Sequence, residues 1–262
     1  MKKIICFMSF ILILSLQISF ASASASASAS SDELRDAIYS GNLPAVEKIL
    51  PKEDLNQKIR YRQRSNNWVD NATPLHLAVE YGSVEMVGLL LRNHVDVNAR
   101  DSFGQTALFK AMRSDRGFDI AKLLLENGAD PNIPHSLGIT PLHQAIEAVR
   151  FGDTRLVELL LCYGAQVNAT DEISGAGPLH VAAEHGFTGV IESLLSWGAD
   201  ANLTDKYGHR PSRYVPGGPY WGAVYKQALL KLEYAEREPQ IQKIIQQEGD
   251  LPYQIAQIIT SM

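Results

Sequence analysis

The stretch HVAAEH, His180 to His185, sets two histidines and a glutamate on one short segment, a composition that can bind zinc. Zinc-hydrolase helices use H-E-x-x-H or H-x-x-E-H, with ligands four residues apart on one face. Here the histidines are five apart. At about 100° per residue the two rings diverge by roughly 140°, so one helix cannot aim both at one ion. No Cys-x-x-Cys pair or ligand cluster supplies what is missing. No nucleophile elbow, phosphate-cradling glycine loop or catalytic cysteine with its histidine context is present either. The reading is of a chain without catalytic residues, metal or cofactor.

The elements around that stretch recur. TPLHLAVEYG begins at Thr73, TALFKAMRSD at Thr106, TPLHQAIEAV at Thr140 and GPLHVAAEHG at Gly177. The starts are 33, 34 and 37 residues apart, a period that marks a repeat architecture. Within a copy, Thr73 can cap a helix and Pro74 fits its first turn, where no amide bond is lost. Leu75, Ala78 and Val79 recur at helical spacing, and Gly82 stands at the helix end. A second helix carries Val84, Val87, Leu90 and Leu91 on one side. Gly128, Gly164 and Gly198 stand where the second helices of later copies must stop, and His94 takes that place in the first. Asn-, Asp- and Gly-rich turns follow each pair.

With both halves repeated in four consecutive copies, the chain resembles the ankyrin-repeat family from roughly Leu34 to Pro211. The resemblance implies an all-α solenoid of stacked helix pairs with hairpin-like finger loops. It also implies structural roles for His76, His143 and His180, whose rings would bond loop backbone; Phe109 lacks that capacity. The expected layout is a signal peptide over 1–23, an Ala/Ser-rich segment over 24–31 and an N-terminal capping repeat with a long basic loop over 32–72. Four repeats follow at 73–105, 106–139, 140–176 and 177–209, and a divergent helical cap at 210–262. Arg150 to Asp153, Gly117 and Ile173 to Gly177 read as lengthened loops.

Two lysines, an apolar run from Ile4 to Phe20 and Ala21-Ser22-Ala23 have the form of a secretory signal. A secreted or periplasmic protein is expected; an uncleaved membrane anchor bearing a structural scaffold is the alternative. Cleavage would leave Cys162 alone, without an intramolecular disulfide. Net charge is −5, and losing Lys2 and Lys3 makes it more negative. That disfavours nucleic acid, whose binding rests on phosphate neutralisation.

The resemblance implies binding of another protein, by a monomer, through a concave surface of finger tips and first-helix ends. Carried over by position, the candidates are Trp68, Glu80, Tyr81, Phe103, Arg113, Leu137, Glu147, Glu184, His185 and Tyr207. Large aromatics at exposed positions are common binding hot spots. Glu80, Glu147 and Glu184 share one repeat position and favour a basic partner. Lys58, Arg60, Arg62 and Arg64 alternate with Ile59, Tyr61 and Gln63. That pattern reads either as a grip for a phosphate or acidic partner, or as a solvated loop or two-stranded ribbon. The apolar stripes after Val224 read as a cap, with a partner-binding helix as the alternative.

Overall fold

The computed structural model describes residues 32–52, 54–63, 68–81, 83–149, 154–215, 227–228 and 230–239. The signal-like segment, Arg64, the Gly82 helix stop, the loop 150–153 and the stripes from Ile241 to Ile259 lie outside them. The chain divides into two compact units. One holds the described residues up to Lys110 with Ser114–Asn127; the other holds Ala111–Arg113 and the described residues from Gly128 onward.

In the first unit, α1 (residues 32–39) buries Leu34, Ala37 and Ile38 at helical spacing. Asn42 starts α2 (Leu43–Ile49) by accepting from the Ala45 amide at 3.1 Å. A ribbon follows, β1 (Ile59–Arg62) antiparallel to β2 (Trp68–Ala72). Within the mostly helical fold, the basic loop takes the two-stranded alternative of the sequence reading. Alternation explains it, since Tyr61, Val69 and Ala72 bury their side of the ribbon while Arg60, Arg62 and Trp68 stay outside.

Helix α3 (Pro74–Glu80) is buried from Pro74 through Val79, so its apolar contacts run around the whole helix. Ser83 opens α4 (Val84–Leu91) by accepting from the Met86 amide, and Met86, Val87, Leu89 and Leu90 turn inward. Helices α5 (Ala107–Ala111) and α6 (Gly117–Glu126) make the next pair, and α6 packs on α4 through Leu123, which faces Gly88. The turn before α6, residues 112–116, is longer than the turn 81–83 before α4, and Gly117 itself is buried as the first residue of α6.

The second unit repeats the plan. Helices α7 (Pro141–Glu147) and α8 (Arg155–Cys162) form one pair, α9 (Pro178–His185) and α10 (Thr188–Ser196) the next. Helices α7 and α9 pack on each other, and Leu142, Ala145, Leu179, Ala182 and Ala183 on them are buried. Each fully buried leucine contributes about 1.5–3 kcal/mol. Pro211–Tyr214 is a single 3-10 turn packed on α9, and residues 230–239 form α11. Glu236 on α11 accepts from Asn202 through its carbonyl at 3.3 Å and sits 3.5 Å from Arg210. No helix among the described residues is long and apolar enough to cross a membrane.

The second helices end as the glycines require. Gly128, Gly164 and Gly198 have φ of 87°, 84° and 83°, and His94 adopts 59° in the equivalent place. Only glycine takes that region without strain, so His94 costs up to about 1 kcal/mol.

Candidate functional site

The T-P-L-H histidines explain the opening motif. His76 Nε2 lies 2.9 Å from the Gln105 carbonyl, and its Nδ1 lies 3.1 Å from the Thr73 amide. A carbonyl only accepts and an amide only donates, so Nε2 carries the proton and Nδ1 is bare. His143 makes the same pair with the Ala176 carbonyl and the Thr140 amide, at 3.2 and 3.3 Å. His180 makes it with the His209 carbonyl and the Gly177 amide, each at 3.1 Å. Each ring thus ties the start of its own helix to the residue just before the next repeat. Burial pushes the His76 imidazole down to about 4 and also lowers His143. Phe109 is buried at the equivalent position, and there Thr106 Oγ1 accepts from the Phe109 amide.

With both nitrogens of His180 engaged, the HVAAEH segment has no ligand to offer from that residue. His185 Nε2 instead faces Glu147 Oε2 at 3.5 Å, and its ring stacks on Phe187 at 5.1 Å. No group of three or more His, Cys, Asp or Glu suited to a metal occurs among the described residues.

The finger tips are built by a second recurring device that sequence reading missed. Asp101 Oδ1 accepts from the Phe103 and Gln105 amides at 2.9 Å, and Asp205 Oδ1 accepts from the Tyr207 and His209 amides at 2.8 Å. Asp171 does likewise for Ile173 and Ser174. Burial works against its carboxylate, but bonds from Ser174, Ile173 and Ala176 outweigh it and lower its pKa. His135 Nδ1 replaces the carboxylate in the remaining finger, accepting from Leu137 N. The signal was the Asp (or His) two residues before each tip.

Fingers are also bonded to one another. In the first unit Ser102 N donates to the Asp70 carbonyl at 2.9 Å. In the second, Glu172 N donates to Leu137 O at 3.1 Å and Lys206 N to Ser174 O at 2.9 Å. Behind them, Asn132 accepts from Gln166 N and donates to Gly164 O, and Asn168 does the same to Asp200 N and Gly198 O. These asparagines each stand four residues after a helix-stop glycine, Gly128 and Gly164.

On this frame the candidate residues separate. In the first unit Trp68 is 53% exposed, but the Arg60 guanidinium covers its ring at 4.8 Å. Phe103 is exposed at its tip. Tyr81 is a correction: it is half-buried, its ring lies edge-on to Tyr39 at 4.7 Å, and its hydroxyl donates to the Arg62 carbonyl at 3.1 Å. It braces the ribbon. Glu80 is half-buried at the end of α3.

In the second unit Leu137 and Tyr207 project from the bonded finger row, 49% and 71% exposed. Glu147 and Glu184 are exposed near the ends of α7 and α9, and His185 joins Glu147 directly. Arg113 is exposed but lies in the turn beyond α5, which ends at Ala111, so it does not belong to a helix end. Helix α5 stops two residues earlier than α3 and α7 do in register, which carries Arg113 off the shared position. A cavity of about 990 Å³ lies between α10 and α11, lined by Leu195, Ala201, Leu230, Lys231 and Tyr234 among others.

Comparison with known proteins agrees with this frame. A family model described as ankyrin repeats, in three copies, matches residues 34–135 and 134–205. The E3 ubiquitin-protein ligase XBAT33 of Arabidopsis thaliana is 31% identical over 111 residues, 42% of this chain and 14% of that protein. The probable E3 ubiquitin-protein ligase XBOS32 of Oryza sativa subsp. japonica is 28% identical over 113 residues, 43% of this chain and 15% of that protein. The match therefore spans a small part of either relative's length.

Proposed function

The chain belongs to the ankyrin-repeat family, and we propose that it is an exported, monomeric, non-enzymatic protein that binds a basic protein partner through its second unit. Ankyrin repeats mediate binding to other proteins, which is the general function here. The observation that carries the specific proposal is the row from Leu137 to Tyr207. Two exposed apolar tips are held in a ladder of backbone bonds, and the same unit exposes the carboxylates Glu147 and Glu184. Apolar anchors beside acidic groups suit a partner with apolar and cationic side chains. Pre-bonded fingers lower the ordering cost of binding.

The ligase names of the two plant proteins speak for those proteins, of which the match covers 14% and 15%. The proposal takes from them the repeats and not the activity. Export rests on the two lysines, the apolar run and the Ala/Ser segment at the N-terminus. The same run supports a second reading, a membrane-anchored scaffold. The N-terminal residue of the protein recovered from membrane and soluble extracytoplasmic fractions separates them. A soluble chain starting within Ala21 to Ser31 supports export, and an intact Met1 held in the membrane supports the anchor.

Binding is tested by cross-linking the full chain to extracytoplasmic proteins, identifying the partner and measuring its affinity for two variants. Leu137→Ser with Tyr207→Ser should weaken binding at least tenfold. Glu147→Gln with Glu184→Gln should weaken it severalfold and flatten its salt dependence. A partner held equally by the wild type and both variants would place the surface elsewhere and sink the proposal.

A further inference from the structure

Helix α11 is apolar on two sides, and the described residues bury only one of them. Leu232 is fully buried. Leu230 and Tyr234 stand two residues to either side of it, about 200° around the helix, and are 40% and 46% exposed. They line the cavity of about 990 Å³ between α10 and α11, sharing it with Leu195, Ala199 and Ala201. A helix at the end of a stack ordinarily turns a polar side outward, which keeps the array soluble. At Leu230 and Tyr234 α11 does not.

The walls of this cleft are fixed by polar ties. Lys231 Nζ pairs with Glu192 Oε1, joining α11 to α10. Further along, Asn202 donates to the Glu236 carbonyl at 3.3 Å, and Arg210 lies 3.5 Å from the Glu236 carboxylate. Held in this way, Leu230 and Tyr234 keep an apolar cleft beside them, and an exposed apolar patch marks a contact to be made.

The chain that follows α11 has the composition to make it. Pro239, the last residue of α11, itself lines the cleft. Beyond it, outside the described residues, Leu251, Ile255, Ile258 and Ile259 recur at helical spacing, with no charged residue from Leu251 to Ile259. At 1.5 Å per residue that stripe is about 12 Å long, and Leu230 to Pro239 is about 14 Å. Residues 240–250 reach up to roughly 36 Å when extended, ample to bring the stripe back to the cleft. Gly249 and Asp250, just before it, are residues that suit a reversal. The cleft also carries Asp200 and Glu238 in its lining. An uncharged stripe sets no like charge against them, whereas a second copy docked cleft to cleft would oppose the same carboxylates.

We infer that the segment Leu251–Ile259 of the same chain fills the cleft between α10 and α11, seating Leu251, Ile255, Ile258 and Ile259 against Leu195, Leu230 and Tyr234. It thereby closes the apolar side of α11 against self-association. The inference is independent of the finger-row proposal, which uses other residues.

The test keeps the full chain with Cys6→Ser, so that the exposed Cys162 serves as an internal reference thiol. In this background the thiol of Leu230→Cys should react with a maleimide at least tenfold more slowly than Cys162. Adding Ile255→Asp/Ile258→Asp should raise it to the rate of Cys162, with circular dichroism and the amide exchange of α7 and α9 unchanged. A second measurement avoids the aspartates. With Cys6→Ser and Cys162→Ser, a short bismaleimide should link Tyr234→Cys to Ile255→Cys within one chain, joining the middle of α11 to the middle of the stripe. A position-230 thiol as reactive as Cys162 from the outset overturns the inference. So does protection that the aspartates leave intact or that disappears on dilution, and so does a cross-linked product that is absent or is a covalent dimer.

Discussion

Replacing His76 by Phe copies what the chain itself does at Phe109, and it tests the histidine account most directly. The substitution removes the acceptor for the Thr73 amide and the donor to the Gln105 carbonyl, both at the buried end of α3. A stranded buried backbone group costs about 1–3 kcal/mol, so the variant should lose roughly 2–4 kcal/mol at pH 7.5. The pH dependence is the sharper part. Burial lowers the folded pKa from 6.5 to about 4, which means the folded state prefers the neutral ring. Protonation would also turn Nδ1 into a donor facing the Thr73 amide. The stability tied to the neutral ring is complete above pH 6.5 and is lost as pH falls toward about 4. At 1.36 kcal/mol per pKa unit, wild type loses about 2 kcal/mol through this residue by pH 5 and about 3 by pH 4. The variant loses none of that share, so the gap between the two proteins should narrow by about 2 kcal/mol from pH 7.5 to 5. Urea unfolding followed by circular dichroism at both pH values measures it. His143 and every other titrating group are common to both proteins and cancel in the difference. A gap that stays the same at both pH values would refute the buried neutral imidazole.

Two further outcomes follow from the packing. A Cβ on Gly138 would stand 2.6 Å from the Glu172 amide nitrogen at φ of 77°, whereas one on Gly128 meets nothing within 4 Å. Gly128→Ala should then cost about 1 kcal/mol, and Gly138→Ala clearly more, with the Glu172 amide exchanging faster by NMR; equal costs would contradict the close approach. Lys110 Nζ lies 3.1 Å from Asp101 Oδ2, with both side chains buried, in a place where the other copies carry Leu77, Gln144 and Val181. Lys110→Met should cost about 3–5 kcal/mol by stranding the carboxylate. Adding Asp101→Asn should restore most of it, because the amide oxygen can still accept from Phe103 and Gln105. A double variant no more stable than the single one would show that the pair is not the cause.

The period of the repeat, the places of the helix stops and the shared position of His76, His143 and His180 could all be read along the chain. They depend on local rules: apolar spacing sets the buried side of a helix, and a positive φ asks for glycine. His94 obeys the second rule by violating it, and that too was legible. The alternation of Lys58, Arg60 and Arg62 with Ile59, Tyr61 and Gln63 suggested a ribbon without deciding for it. What could not be read was everything settled by partners distant in sequence. Tyr81 looked like an exposed aromatic because its place in the repeat is exposed; Arg62 and Tyr39, 19 and 42 residues upstream, make it a brace. Arg113 slid off its helix because α5 ends early. Asp101 gained a buried lysine, and Asp70 and Asn71 share one opposing residue because the strand register slips. Backbone preferences act within a turn or two and so are written in adjacent residues. Burial, charge pairing and register depend on which surfaces meet after the chain has folded, and those meetings exist only in three dimensions.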